Sequence, residues 1–477
     1  TISKNSLETS LLQLQCHFTW ALQEQDVDLD CLEEKTVERI EFSMQSNSND
    51  YNLLAYVCHL KNSNEEALKN LQKAEQVIQK HHPDESAGRN LVTWGNYAWI
   101  YYHMERYEEA QIYISKVADI SKSLSSTADG KIQLPEVYCG QGWALLHFGE
   151  KYYERAKECF EIALKKEPNN PDFNASYAIA MYRLEKIAYR YNEEAVPSFE
   201  LLKRAVELNP QDTSLMALLA LKLQDLQQVA EGEMYIEAAM QKTPDHPYFL
   251  RYAGVFYRRK GEVDKAVEIL KKALRLAPNC NFLHHQLGIC YRGKMLKLKN
   301  TSYPPQKQVE ELIQLATFHF KIVVDRRPKF FTAHTDLANM YAEGKRYEEA
   351  EETFQKVLHR DDLPRTEKQL LYFNYGNFQR FHMKSVSKAI HYYIEGLKIE
   401  KDSYGRNKCR DALKKLLEQK IQRGSGNATD FGILGLVHKL TGKKHEAIEC
   451  YEKAIELDPN NEDYRNALFE LRLSISS

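Results

Sequence analysis

The sequence predicts an all-α tetratricopeptide-repeat fold, a helical superhelix (solenoid) built from stacked helix pairs. Three observations predict it. First, the chain repeats itself with a period of about 34 residues, the tetratricopeptide spacing. Ala67, Ala110, Ala156, Ala266, Ala350 and Ala447 fall into register. Ala156 is followed by Phe160, Ala163 and Pro168, Ala266 by Leu270, Ala273 and Pro278, Ala350 by Phe354 and Val357, and Ala447 by Tyr451, Ala454 and Pro459. Second, twelve residues before each alanine stands a small residue: Ala55, Ala98, Ala144, Gly254, Ala338 or Gly435. Small residues let two helices approach closely, and the later proline ends the second helix. Third, no segment alternates like a strand ladder, and Gly and Pro gather at the repeat joints.

The elements follow in order. Leu7, Leu11, Leu14, Phe18 and Leu22 are spaced three to four apart, which reads as one amphipathic helix. A second short helix follows over residues 32–42. Repeat units then begin near residues 48, 91, 137, 171, 212, 247, 281, 331, 370 and 428. The units near 171 and 281 carry insertions between their helices, at residues 186–197 and 297–307. The stretch 121–135 is irregular and marks a boundary, and Arg423-Gly-Ser-Gly-Asn427 reads as a flexible joint. A last helix over residues 462–473 caps the array, since a solenoid's exposed end needs a polar cover. The division expected is 1–134 for the N-terminal helical subdomain with the first repeats, 135–280 for the central repeats, 281–330 for a connecting pivot repeat, and 331–477 for the C-terminal repeats and capping helix.

Composition narrows the function. Net charge is −2 over 477 residues, so any anion-binding surface is a local concentration of Lys and Arg. No run of about 18 apolar residues marks a membrane span, and Thr1-Ile2-Ser3-Lys4 lacks the apolar core of a signal peptide. Nine cysteines lie scattered without a C-x-x-C pair, which argues against a disulfide or zinc framework and for a reducing cytosol. The sequons at Asn174, Asn300 and Asn427 are then chance matches. No phosphate-cradling Gly-rich loop, H-E-x-x-H or G-x-S-x-G is present, so an enzyme is not expected. His81-His82 and His284-His285 are adjacent pairs that diverge on a helix, so neither has metal-site spacing.

A ligand of such an array sits against the first helix of each repeat, whose positions 2, 5, 9 and 12 share one face. In the unit from 247 these are Tyr248, Arg251, Val255 and Arg258; in the unit from 281, Phe282, His285, Ile289 and Arg292. The unit from 171 ends its face in Tyr182 and Arg183. The unit from 137 offers Tyr138, Gln141, Leu145 and Phe148, with Trp143, His147 and Tyr153 close by. Arg and Tyr bind phosphate oxygens and aromatic faces stack on bases, a combination that single-stranded RNA uses. Each aromatic taken alone reads as core. The enrichment on one face across neighbouring units places nucleic acid slightly ahead of peptide. Lys35 and Arg39 share a helix face near the N-terminus, flanked by Glu34 and Glu38 in the manner of a salt-bridged surface helix.

Several segments resemble the interferon-induced proteins with tetratricopeptide repeats. They are Cys16-His-Phe-Thr-Trp20, Asn52-Leu-Leu-Ala-Tyr56, Leu91-Val-Thr-Trp-Gly-Asn96, Gly142-Trp-Ala-Leu-Leu146, Tyr252 through Tyr257-Arg-Arg-Lys260, and His284-His-Gln286. Glu470-Leu-Arg-Leu-Ser-Ile475 resembles the triphosphate-binding members most. The resemblance implies a cytosolic antiviral effector. It would grip the 5′ end of foreign single-stranded RNA, bearing a triphosphate or an incompletely methylated cap, without hydrolysis. The grip would be a basic tunnel closed by the N-terminal helical segment. Carried over by residue, it implies phosphate contacts from Lys35, Arg39, His147, Tyr153, Arg183, Tyr248, Arg251 and Tyr252. It implies strand contacts from Arg258, Phe282, His285, Gln286 and Arg292, and a cap pocket at Trp143 and Ile179.

Four positions depart from that pattern. His147 stands where tunnel-forming relatives have Lys, Arg39 where one has Gln, Ser214 where relatives have Tyr, and Cys31 where one has a metal-associated Glu. The loss of that carboxylate favours direct neutralisation of phosphate by Arg and Lys, so no cofactor is expected, and a metal ion bridging the RNA phosphates is the alternative that Cys31 does not support. Tyr451-Glu-Lys-Ala-Ile455 resembles a pairing motif of relatives with Ile in place of Leu, and it also fits the repeat core. Association with other family members through the C-terminal repeats is therefore expected too. A peptide-binding scaffold remains the competing class.

Overall fold

The computed structural model describes residues 3–43, 47–124 and 134–476, and every regular element among them is helical. The chain forms two compact units, Thr1–Ile187 with Ala195–Cys290, and Ala188–Glu194 with Tyr291–Ser477. The parting of the chain at 290/291 falls inside the segment 281–330.

The repeat pairs of the first unit start where the periodicity places them. Ser48–Leu60 pairs with Asn64–His81, Leu91–His103 with Tyr107–Leu124, and Pro135–Phe148 with Tyr153–Lys166. Thr213–Asp225 then pairs with Val229–Lys242, and Pro247–Lys260 with Val263–Leu276. In the second unit Phe331–Glu343 pairs with Tyr347–Leu358, Arg365–Asn377 with Val386–Lys398, and Ala428–Leu440 with Lys444–Leu457, which Glu462–Ser476 covers.

The register alanines explain the pairing. Ala55, Ala67, Ala98, Ala110, Ala144, Ala156, Ala266, Ala350 and Ala447 are all fully buried. A Cβ added at Gly142 would come within 2.6 Å of the Phe160 ring, and one at Gly254 within 2.5 Å of Leu270. The close approach is thus built into the residue size.

Three expectations need correction. The N-terminal amphipathic pattern is helical only over Lys4–Leu11. Beyond it Leu14, Cys16, Trp20 and Leu22 are buried from irregular chain. That strap is held by side chains from distant helices. Asn96 Oδ1 accepts from the His17 amide (3.2 Å), Tyr152 OH from the Gln23 amide (2.9 Å), and Arg155 donates to the Trp20 carbonyl (2.8 Å). Tertiary partners here outcompete the helix ladder.

The insertions are also shorter than expected, because the preceding helices run on through Arg190 and Lys299. Of 121–135, residues 125–133 lie outside the described residues. Finally, the unit expected from 370 begins at Arg365 and is followed by an additional helix, Tyr404–Gln422, that the repeat pattern does not contain. It buries Cys409, Leu413, Leu416 and Leu417. At 423–427, where the sequence suggests a joint, Gly424 takes φ 72° and Asn427 makes a capping box with Asp430.

Candidate nucleic-acid interface

Four helices of the first unit position the side chains singled out by the sequence. Leu29–Phe42, capped by Asp28 on the Cys31 amide, carries Lys35, Glu38 and Arg39. Pro135–Phe148 starts on a proline, whose missing N–H costs nothing there, and stops at Gly149 with φ 135°. It carries Trp143 and His147. Pro171–Arg190 carries Ile179, Tyr182 and Arg183. Pro247–Lys260 starts on another proline and ends at Gly261 with φ 94°. It carries Tyr248, Arg251, Tyr252 and Arg258.

Two clusters result. In the first, the Arg39 Nε lies 2.8 Å from Asp50 Oδ1, and the Trp143 indole N–H donates to the same oxygen at 3.1 Å. The Arg39 guanidinium is 5.9 Å from the Trp143 ring centre, and Trp143 meets His147 edge-on at 4.5 Å. Arg183 donates to the Leu146 carbonyl at 3.0 Å and lies 5.8 Å from the Tyr153 ring. His147 Nε2 is buried with no hydrogen-bond partner. Burial, then the fields of Arg39, Arg183 and Lys35, holds this imidazole well below its ordinary pKa. Three cations thus converge on one neutral ring.

In the second cluster the Arg251 guanidinium is enclosed by Phe282, Tyr248 and Tyr252, with ring centres at 4.3, 4.8 and 5.3 Å. Glu38 Oε2 stands 3.7 Å away. Arg251 Nε and Glu38 Oε1 are both buried without hydrogen-bond partners. Such groups cost roughly 1–3 kcal/mol each and call for a functional reason. Arg39 joins the clusters, since its charge also acts on the Tyr248 hydroxyl, which burial pushes up.

The remaining sequence-derived residues are placed as follows. Lys35 is exposed and Ile179 part exposed. Arg258 Nε donates to Gln286 Oε1 at 3.2 Å, and His285 and Gln286 are buried, so of that group Phe282 keeps a part-exposed ring. Arg292 belongs to the second unit, where it pairs with Asp336 at 2.5 Å beside Phe320. Cys31 lies in the first turn of its helix, and among the described residues no group of three or more His, Cys, Asp or Glu is arranged to hold a metal.

Sequence reasoning missed the carboxylates. Glu34 accepts from Asn281 at 2.9 Å and Glu38 faces Arg251. Asp50, in the first turn of its helix, looks like an ordinary N-terminal acid. Its side chain is 4% exposed, which only the fold reveals.

The Tetratricopeptide repeat family matches residues 91–123, 217–279, 319–363 and 431–461. The chain is 47% identical over 457 residues to human Protein IFIT1 homolog B, covering 94% of this chain and 96% of that protein. It is 45% identical to the human Antiviral innate immune response effector IFIT1, over 95% of this chain and 96% of that one. It is 42% identical to human Interferon-induced protein with tetratricopeptide repeats 2, again over 95% and 96%. Among solved structures it resembles a monomeric IFIT1 mutant with Gppp-AAAA, at 44% identity and a TM-score of 0.87 over 95% of this chain and 100% of that one. It also resembles the human IFIT1 dimer with PPP-AAAA, at 44% identity and a TM-score of 0.83 over 94% and 99%. This chain belongs to the family of interferon-induced proteins with tetratricopeptide repeats.

Proposed function

We propose that this protein is an antiviral effector that captures the 5′ end of single-stranded RNA and so blocks translation of foreign transcripts or supports innate signalling. The observation that carries the reading is the grouping of Arg39, Trp143 and the half-buried His147, whose Nε2 is enclosed without a partner, together with the aromatic-enclosed Arg251. Asp50 and Glu38 offset part of this charge, and the remaining local excess of cations in a chain of net charge −2 supports an anionic ligand. Relatives solved with Gppp-AAAA and with PPP-AAAA support a 5′-end ligand of either kind.

On this reading Lys35, Arg39, His147, Tyr153, Arg183, Tyr248, Arg251 and Tyr252 receive the phosphates, and Phe282 with Arg258 guides the strand. Trp143 and Ile179 form the wall against which a capping base stacks. The chemistry is binding, with no bond made or broken.

Self-association through the C-terminus fits the same family, which includes a solved dimer. Phe469, Leu473 and Ile475 on the final helix are exposed, with Leu457 before it, whereas Tyr451 is buried. That exposed helix face, and not the Tyr451 ring, is the surface available to a partner copy. No described helix is long and apolar enough to cross a membrane, and a cytosolic site of action follows from the proposed ligand. A gel-shift panel with one RNA carrying triphosphate, cap, monophosphate or hydroxyl at its 5′ end tests the reading. The first two are expected to bind best, and equal binding of all four would overturn it.

A further inference from the structure

The turns between the two helices of a repeat provide an internal comparison. Seven of them pass through one residue in the left-handed region: Asn62, Glu105, Gln227, Gly261, Lys345, Lys384 and Gly442, with φ between 56° and 94°. Six are built mainly from polar or small residues, as in Lys61-Asn-Ser63, Gly261-Glu262 and Thr441-Gly-Lys443. The seventh differs. Its first helix ends in a π-turn over Phe378–His382, closed by the Met383 amide on the Phe378 carbonyl. This turn exposes Phe381 (54%), Met383 (45%) and Val386 (47%) together. π-turns of this kind are frequent at functional sites, and a cluster of exposed large hydrophobics marks an interaction surface. Tyr347 adds a fourth apolar surface, with its ring 6.1 Å from that of His382.

Residues 378–390 carry Arg380, Lys384 and Lys388 and no carboxylate. Lys384 and Lys388 are exposed, as is Lys345 in the preceding repeat's turn. Arg380 lies 4.8 Å from the Phe381 ring. Of the carboxylates on the neighbouring helices, Glu343 is engaged with Lys299 and His382, Glu349 with Arg346, and Glu351 with Tyr375 and Gln379, while Glu348 beside Tyr347 is exposed. An apolar centre rimmed by exposed cations is complementary to a segment that is apolar and acidic.

We propose that the Phe381–Val386 turn of the second unit is a docking site for an acidic amphipathic segment of a partner protein. Its apolar residues cover Phe381, Met383 and Val386, and its carboxylates face Lys345, Lys384 and Lys388. This surface is separate from the cation clusters of the first unit and does not depend on the RNA reading.

The test uses the full chain and a fluorescent helical peptide with Leu on one face and Glu on the other. A Lys-for-Glu version of the peptide and phosphatidylserine vesicles serve as alternative probes. The Glu peptide is expected to bind saturably and the Lys peptide at least about tenfold more weakly. Phe381→Ser with Met383→Ser should weaken the Glu peptide by about tenfold or more. Lys384→Glu with Lys388→Glu should reverse the preference between the two peptides. All four residues are exposed, so these variants should keep the wild-type circular dichroism. Equal binding of both peptides, binding of neither, indifference to the variants, or binding to vesicles alone would each overturn the proposal.

Discussion

His147 shows how much one residue's surroundings decide. In the free protein it is neutral, because burial and three cations disfavour the imidazolium. On the proposed reading a triphosphate would neutralise those cations and bring negative charge to the ring, which would raise its bound-state pKa above its free-state pKa. Binding would then take up a proton. Affinity should be full below the free-state pKa and fall as pH rises through the bound-state pKa, by at most about tenfold per pH unit. His147→Gln should flatten that profile. Secondary ionisation of the phosphate acts in the opposite direction, so a wild-type profile matching that of the Gln variant removes His147 from the site.

Arg183 donates to the Leu146 carbonyl and lies beside the Tyr153 ring. Arg183→Ala should weaken triphosphate RNA by about tenfold to a hundredfold, the worth of a charge-assisted contact of roughly 1.5–3 kcal/mol. Helical circular dichroism should be kept, and normal binding would make the arginine purely structural. Trp143 is tied by its indole N–H to Asp50, which fixes the ring without burying it fully. Trp143→Met should lose capped RNA and keep triphosphate RNA in a filter-binding assay. Equal loss of both would assign Trp143 to the fold. Of the proposed site, Tyr248, Arg251, Arg258, Phe282 and His285 were legible because they fall at fixed positions of a repeated helix, whereas Lys35, Arg39, Trp143, Ile179 and His147 were given their roles by the family resemblance alone. Asp50 and Glu38 were not legible, since Trp143 and Arg251 lie far along the chain and only packing brings them together.

Among the elements, the repeat helices were legible because small residues and prolines punctuate them regularly, and Gly142 and Gly254 show the contact that enforces it. The strap over residues 12–23 was not. Its leucine spacing suits a helix, but its backbone is satisfied by Asn96, Tyr152 and Arg155 from far along the chain. The Tyr404–Gln422 helix escaped because it lies outside the consensus, although Cys409, Leu413, Leu416 and Leu417 carry the helical spacing. The strap gives an acid-stability prediction. Burial, offset in part by a hydrogen bond from Asn96, lowers the pKa of His17 to about 3. The unfolded chain binds this proton near pH 6.5 and the folded chain does not. The stabilisation is complete above about pH 6.5 and declines toward pH 3, by about 1.4 kcal/mol per pH unit. His17→Gln should therefore lose less stability than wild type between pH 7 and 5, by about 2 kcal/mol. Urea unfolding followed by tryptophan fluorescence reads this directly, since Trp20, Trp94, Trp99 and Trp143 all lie in the first unit. Equal losses would show that His17 does not govern the acid response.

The whole molecule is nearly neutral, and the cations proposed to receive the phosphates lie in the first unit. Repeat arrays gain stability from neighbour to neighbour, which leaves the first helices free to carry Arg and Tyr in place of apolar side chains. Such a surface recognises the charge of an RNA end and the open faces of unpaired bases, and a blunt duplex should bind poorly because its bases cannot stack on Phe282. The most direct test is a fluorescence-anisotropy titration of wild-type protein. It uses two single-stranded RNAs of one sequence, one ending in a 5′-triphosphate and the other in a 5′-hydroxyl, at physiological salt. The account predicts at least about tenfold tighter binding of the triphosphate RNA, equivalent to roughly 1.4 kcal/mol. Equal affinity for the two ends would contradict it.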